Sequence, residues 1–246
     1  MKLQIDQPLN PQIDPSGTPQ INPPAAERSW LLLVVAAVVL TAFYYLTRAD
    51  LIGVSSPGRS WTPMTTGPLP SWQHFLASAI LLGVIPVAAA RAIGFRPQEL
   101  GLGAGDARTG LALVAMGLPL AALAGWIGSA APTMRAVYPL DAVAAKANFP
   151  GYAALQFLYY GAWEVLFRGV LLFGLRSRFG DRGAVAAQTA LSVAAHFGRA
   201  LNETATAIPA GLLFGFVSLR VRSIWYVAVI HWVVGVSQDW FMLRGG

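Results

Sequence analysis

Tyr159-Tyr160-Gly161-Ala162-Trp163-Glu164-Val165-Leu166-Phe167-Arg168-Gly169-Val170-Leu171-Leu172 is an apolar run interrupted only by one carboxylate and one guanidinium. Four residues of separation put Glu164 and Arg168 on the same side of a helix. A charge at bilayer depth costs roughly 2.5–3.5 kcal/mol on insertion scales, so neither is kept there without a reason. Two readings follow. The pair pins two helices together, or it belongs to a polar active or transport site inside a membrane bundle.

Composition sets the class. Of the 246 residues 55% are hydrophobic and 11% charged, with a mean hydropathy of +0.54. Soluble domains carry about 25% charged residues, so this chain cannot cover a soluble surface. The absence of cysteine removes disulfides, thiolate metal sites and a cysteine nucleophile together. The net charge of +6 comes from basic residues scattered through short loops, with no basic patch interleaved with aromatics, so nucleic acid is not an expected partner.

The apolar segments lie at 30–47, 72–91, 109–130, 151–174, 183–198, 205–220 and 223–242, each near the roughly 20 residues that cross a bilayer as helix. They are continuous rather than alternating, which argues against a β-barrel. The expected fold is therefore all-α, a polytopic transmembrane helix bundle of about seven spans, occupying 29–246. Residues 1–28, with Pro8, Pro11, Pro15, Pro19, Pro23 and Pro24, are expected to form a disordered tail. Trp30, Tyr44, Tyr45, Trp61, Trp72, Trp225, Tyr226 and Trp240 sit near segment ends as interfacial aromatics do. With a cytoplasmic amino terminus, ten Lys and Arg fall inside and six outside, which favours that orientation.

His196 and His231 lie in apolar segments, whereas His74 opens a span beside Trp72 and reads as interfacial. At a helical rise of about 1.5 Å per residue, Glu164, His196 and His231 reach similar depth. Polar side chains in lipid converge on one another. A carboxylate and an imidazole can share and activate a water, and a second imidazole can stabilise an oxyanion. Two histidines and a carboxylate can instead hold a divalent metal, although the helical His-Glu-x-x-His pattern is absent.

Taken in order, these residues resemble the CPBP family, the intramembrane CAAX-protease and bacteriocin-processing family formerly called Abi. Its pattern is Glu-Glu-x-x-x-Arg, then Phe-x-x-x-His, then His-x-x-x-Asn. Glu164, Arg168 and Gly169 match the first motif, His196 the second and His231 the third. Glu99–Asp106, Glu203 and the run Gly211–Trp225 are also family-like, so the resemblance covers roughly 96–242. It implies a seven-span bundle in a bacterial cytoplasmic membrane and a glutamic-type peptidase without cofactor, acting on a membrane-associated protein or peptide, with membrane lipid as its other partner. Glu164 and His196 are then candidates for water activation, His231 for oxyanion support and Arg168 for orienting Glu164.

Three positions depart from the pattern. Trp163 stands where the family has its water-activating Glu, Ser192 replaces the Phe, and Gly235 replaces the Asn that would complete the oxyanion site. Gln156, Gln188, Gln238 and Asp239 are polar residues available for the missing amide role or as interhelical hydrogen bonders. Three functions are set against one another: an intramembrane endopeptidase; an inactive relative acting as a membrane binding, chaperone or immunity protein; and a small-solute transporter, for which no internal repeat is evident.

Overall fold

The computed structural model describes residues 25–47 and 71–245. Where water is absent, a helix is the structure that satisfies its own backbone donors and acceptors. The apolar runs accordingly fold as α1 (Ala25–Leu46), α2 (Ser71–Ala92), α3 (Ala107–Ser129), α4 (Phe149–Glu164, continued by π-helical Val165–Phe173), α5 (Gly174–Ala194), α6 (Leu201–Val221) and α7 (Trp225–Arg244). No strand occurs among the described residues. The expected tail lies largely outside them. α1 starts at Ala25 rather than at 29, and from its first turn Arg28 donates to the Ile93 carbonyl at 2.9 Å.

Five stretches among the described residues are long and apolar enough to cross a membrane, and the longest is Phe149–Ala194 taken as one. That stretch bends at Gly180, whose φ of 66° and ψ of 177° leave the helical region. The chain turns back there, which returns His196 to the ring of Trp163 at 5.0 Å. Gly180 thus separates two arms. α7 falls short of membrane-helix hydropathy because it carries His231, Gln238, Asp239 and Arg244. The apolar helices make this an integral membrane protein.

The opening stretch is the axis of the bundle. One 18-residue stretch within Phe149–Ala194 is 94% buried, against 17–28% for the corresponding stretches of the other candidate spans. A helix apolar all round is one surrounded by other helices. Phe167, Leu166, Leu171 and Leu172 are fully buried and pack with Phe43 of α1, Phe75 and Leu82 of α2, and Val185 of α5. α3 is the opposite case. Leu111, Met116, Leu120 and Trp126 on its outer face are exposed, as suits a lipid boundary.

The inner face of α3 carries Gly110, Gly117 and Gly125, about two turns apart. They accept Tyr226, Ile230 and the Val234–Ser237 turn of α7, so the two helices run parallel in close contact. Small residues permit this approach where no hydrophobic drive exists between helices. α6 meets α5 in the same way. Gly211 lies against Thr189, Gly215 against Val185, and Gln188 donates to the Gly211 carbonyl at 2.8 Å.

The loop before α3 clasps the α6–α7 turn. Asp106 N–H donates to the Val221 carbonyl at 2.7 Å and Ile224 N–H to the Gly101 carbonyl at 3.0 Å. Trp225 Nε1 donates to Leu102 O at 2.9 Å, and the Tyr226 hydroxyl to Ala104 O at 2.7 Å. Asp106 caps α3, and hydrogen bonds from the hydroxyl and amide of Thr109 hold its carboxyl below the usual range. Gly105 has φ +59°, and a Cβ there would overlap the Val221 carbonyl. Gly105→Ala is expected to cost at least 1–3 kcal/mol, roughly the strain of a non-glycine in this region, read as a lowered melting temperature in detergent.

Candidate active site

Glu164 and Arg168 form one buried unit at the junction of α4 and its π-helical continuation. Such wider turns recur at functional sites. Glu164 is fully buried and Arg168 nearly so. Arg168 Nη1 donates to Glu164 Oε1 at 3.2 Å, and its Nε lies 3.1 Å from Oε2 as an ion pair out of hydrogen-bond alignment. The guanidinium also covers the Phe214 ring of α6 at 5.5 Å.

His231 of α7 completes this unit. Its Nδ1 is 2.7 Å from Glu164 Oε1. The carboxylate accepts, so Nδ1 carries the proton. The imidazole side chain is 24% exposed while Glu164 is 0% exposed, so the ring is the accessible end of a buried relay. Tyr160 packs edge-on to it at 4.7 Å and Phe214 at 5.6 Å. Three of the four expected residues, Glu164, Arg168 and His231, are thus brought together. Glu164 Oε1 is shared by Arg168 and His231, Oε2 is only ion-paired with Arg168, and neither oxygen meets solvent.

His196 stands apart from that unit. The sequence places it within an apolar helix, but α5 ends at Ala194 and His196 sits in the following turn, where its N–H bonds Val193 O at 2.9 Å. Gly198, at φ +89°, lets the chain leave the helix there. His196 Nδ1 is 2.7 Å from the Ser192 carbonyl. A carbonyl only accepts, so Nδ1 holds the proton and Nε2 keeps its lone pair. Because the Ser192 backbone makes this contact, the side chain at 192 is not what orients the ring. His196 meets Trp163 edge-on at 5.0 Å rather than Glu164 or His231. The metal alternative therefore lacks its ligand set: no group of three or more His, Cys, Asp or Glu among the described residues converges on an ion position.

Beside His196 lies a buried network legible in the sequence only as an i,i+4 pair. Arg199 binds Glu203 at 2.6 Å, Tyr138 at 2.9 Å and Tyr159 at 2.8 Å, while Thr204 donates to the His196 carbonyl at 3.0 Å. Burial, then the Glu203 charge, raises the Tyr138 phenol well above its ordinary range. Arg199 is one of the six basic residues that the sequence-based orientation puts outside, yet its side chain is nearly buried. His74 is not simply interfacial either, since its ring packs against Phe43 and Tyr159.

Residues 148–237 match the family model described as type II CAAX prenyl endopeptidase, Rce1-like. Those bounds include Glu164, Arg168, His196 and His231. Over this segment the chain is similar to the Rce1-like family. No curated protein and no solved structure matches the chain.

Two of the three departures in the matched segment have distinct structural consequences. Trp163 is buried, its ring tilted against Phe167 with centroids 4.7 Å apart and Arg199 over its ring at 5.9 Å. At Gly235 a Cβ would overlap the Tyr160 hydroxyl. The residues available to replace the missing amide are engaged elsewhere. Gln156 Nε2 binds Asp239 at 2.9 Å, Gln188 binds Gly211 O, and Gln238 lies against Gly128 of α3. Tyr160 is the residue that sequence reasoning missed. Its place one turn before Glu164 on the same helix face was the available signal. Gly235→Ala should destabilise the bundle by about 1–3 kcal/mol through overpacking, measured as thermal unfolding in detergent.

Proposed function

We propose that the protein is an intramembrane endopeptidase that hydrolyses peptide bonds of membrane-associated substrates. The observation that carries this reading is the relay from Arg168 through Glu164 to the part-exposed His231, a preorganised group of the kind that steadies developing charge. His196 Nε2 takes a proton from water, and the water oxygen attacks the carbonyl carbon. His231, held through Nδ1 by Glu164, lines the position of the oxygen that gains charge. The C–N bond then breaks, and the amine leaves with the proton held by His196. Glu164 orients His231 and is not the base, because its oxygens are committed to Arg168 and His231.

The family description supports a substrate bearing a carboxyl-terminal CAAX tail with a prenyl group. The loop charges support a cytoplasmic amino terminus, in a bacterial cytoplasmic membrane. A second reading, an inactive relative that binds its membrane partner, is favoured by Trp163 against His196 in the place of a carboxylate. The test is reconstitution of purified protein in liposomes with membrane-anchored peptides, prenylated and unprenylated, and mass spectrometry of the products. New peptide termini support hydrolysis. Peptides that bind and stay intact, with turnover appearing only in Trp163→Glu, would establish the binding reading instead.

A further inference from the structure

The Tyr160 hydroxyl occupies the space that a side chain at Gly235 would fill. Gly235 lies one turn beyond His231 on α7, so hydroxyl and imidazole share a helix face, with ring centroids 4.7 Å apart. Among the described residues the hydroxyl has no hydrogen-bond partner, and it is not one of the fully enclosed orphan atoms. A largely buried phenol ordinarily has a partner for its O–H. His231 leaves a donor wanting at the same place. With Nδ1–H given to Glu164, a neutral imidazole turns only a lone pair outward at Nε2.

We propose that Tyr160 is a catalytic residue, donating its O–H to the carbonyl oxygen of the scissile bond beside His231. This rests on the peptidase reading above. As water attacks, the carbonyl π pair moves onto oxygen, and the phenol hydrogen bond strengthens without transferring its proton. When the C–N bond breaks, the pair returns and the bond relaxes. α7 supplies no side chain at 235, and α4 reaches across to deliver the donor. The glycine is then a requirement of the site, because any Cβ at 235 displaces the hydroxyl.

The rival account is that the Tyr160 ring only fills the gap above Gly235. Tyr160→Phe separates the two, since it keeps the ring and removes the donor. The wild type and this variant are compared on a quenched-fluorescent, membrane-anchored peptide that the wild type cleaves. The expected result is a fall in kcat of about 10²–10³-fold, the usual cost of one oxyanion donor, with KM and melting temperature little changed. A second variant guards against misfolding. Tyr160→Ala/Gly235→Asn vacates the ring and delivers an amide donor from α7, and it should recover at least about tenfold in kcat over Tyr160→Ala alone, a share of that donor's worth. Unchanged kcat in Tyr160→Phe, or no recovery in the swap, overturns the assignment and leaves the peptidase reading standing. Failure of the wild type to cleave any anchored peptide overturns the peptidase reading first, and this assignment with it.

Discussion

Glu164→Ala is expected to destabilise the bundle by about 3–5 kcal/mol, the cost of leaving a buried charge without its partner, and to abolish turnover. Arg168 is 3% exposed at its side chain and has Glu164 as its anionic partner. Truncation leaves the guanidinium against Phe214 with no carboxylate, and His231 without the acceptor for Nδ1–H. Thermal unfolding in detergent reads the first effect and peptide hydrolysis the second. A double change, Glu164→Leu/Arg168→Met, removes both charges and should recover most of the stability while remaining inactive, since buried pairs are often replaceable by apolar residues. Recovery of stability with loss of turnover assigns the pair to function. If Glu164→Ala melted like wild type, the buried relay would not be an energetic feature of the fold.

His196→Ala is expected to lower kcat by about 10²–10⁴-fold, the range for a positioned general base, with little change in melting temperature. The contrast with Glu164 follows from the environment. His196 is part-exposed in a turn and its ring makes one hydrogen bond, to the Ser192 carbonyl, whereas Glu164 is the hub of a closed unit. Its Nε2 lone pair is the function the variant removes. Equal processing of an anchored peptide by His196→Ala and wild type would take the base role away from this residue. Hydrolysis would then need another proton acceptor, and among the residues near Trp163 the Glu203 carboxylate is already held by Arg199 and Tyr138.

Much of the site was visible in one dimension, for a physical reason. In a chain this apolar, a charged or imidazole side chain is costly wherever it lies, so Glu164, Arg168 and His231 stand out and their convergence can be anticipated from the need for mutual satisfaction. Tyr160 does not stand out, because aromatics are common in membrane helices. Its importance comes from which neighbours it touches. The stand-ins considered for the absent amide failed for the same reason. Gln156 and Gln188 look suitable as residue types, but each is satisfied by Asp239 or by the Gly211 carbonyl across a helix contact.

Periodicity and hydropathy dictated helices, their approximate spans and the membrane setting, because a backbone in hydrocarbon has few other ways to satisfy its hydrogen bonds. The carboxylate–guanidinium pairing of Glu164 and Arg168 likewise followed from an i,i+4 spacing that is local. What remained open was every relation between helices. The turn-back at Gly180 carries His196 to Trp163 rather than to Glu164, and the glycine face of α3 lets α7 approach closely. The bond from His231 to Glu164 and the Tyr160 hydroxyl above Gly235 join residues dozens of positions apart. Such contacts depend on helix rotation and approach distance, which are set by packing of small and large side chains and are not encoded in the local pattern of either helix alone.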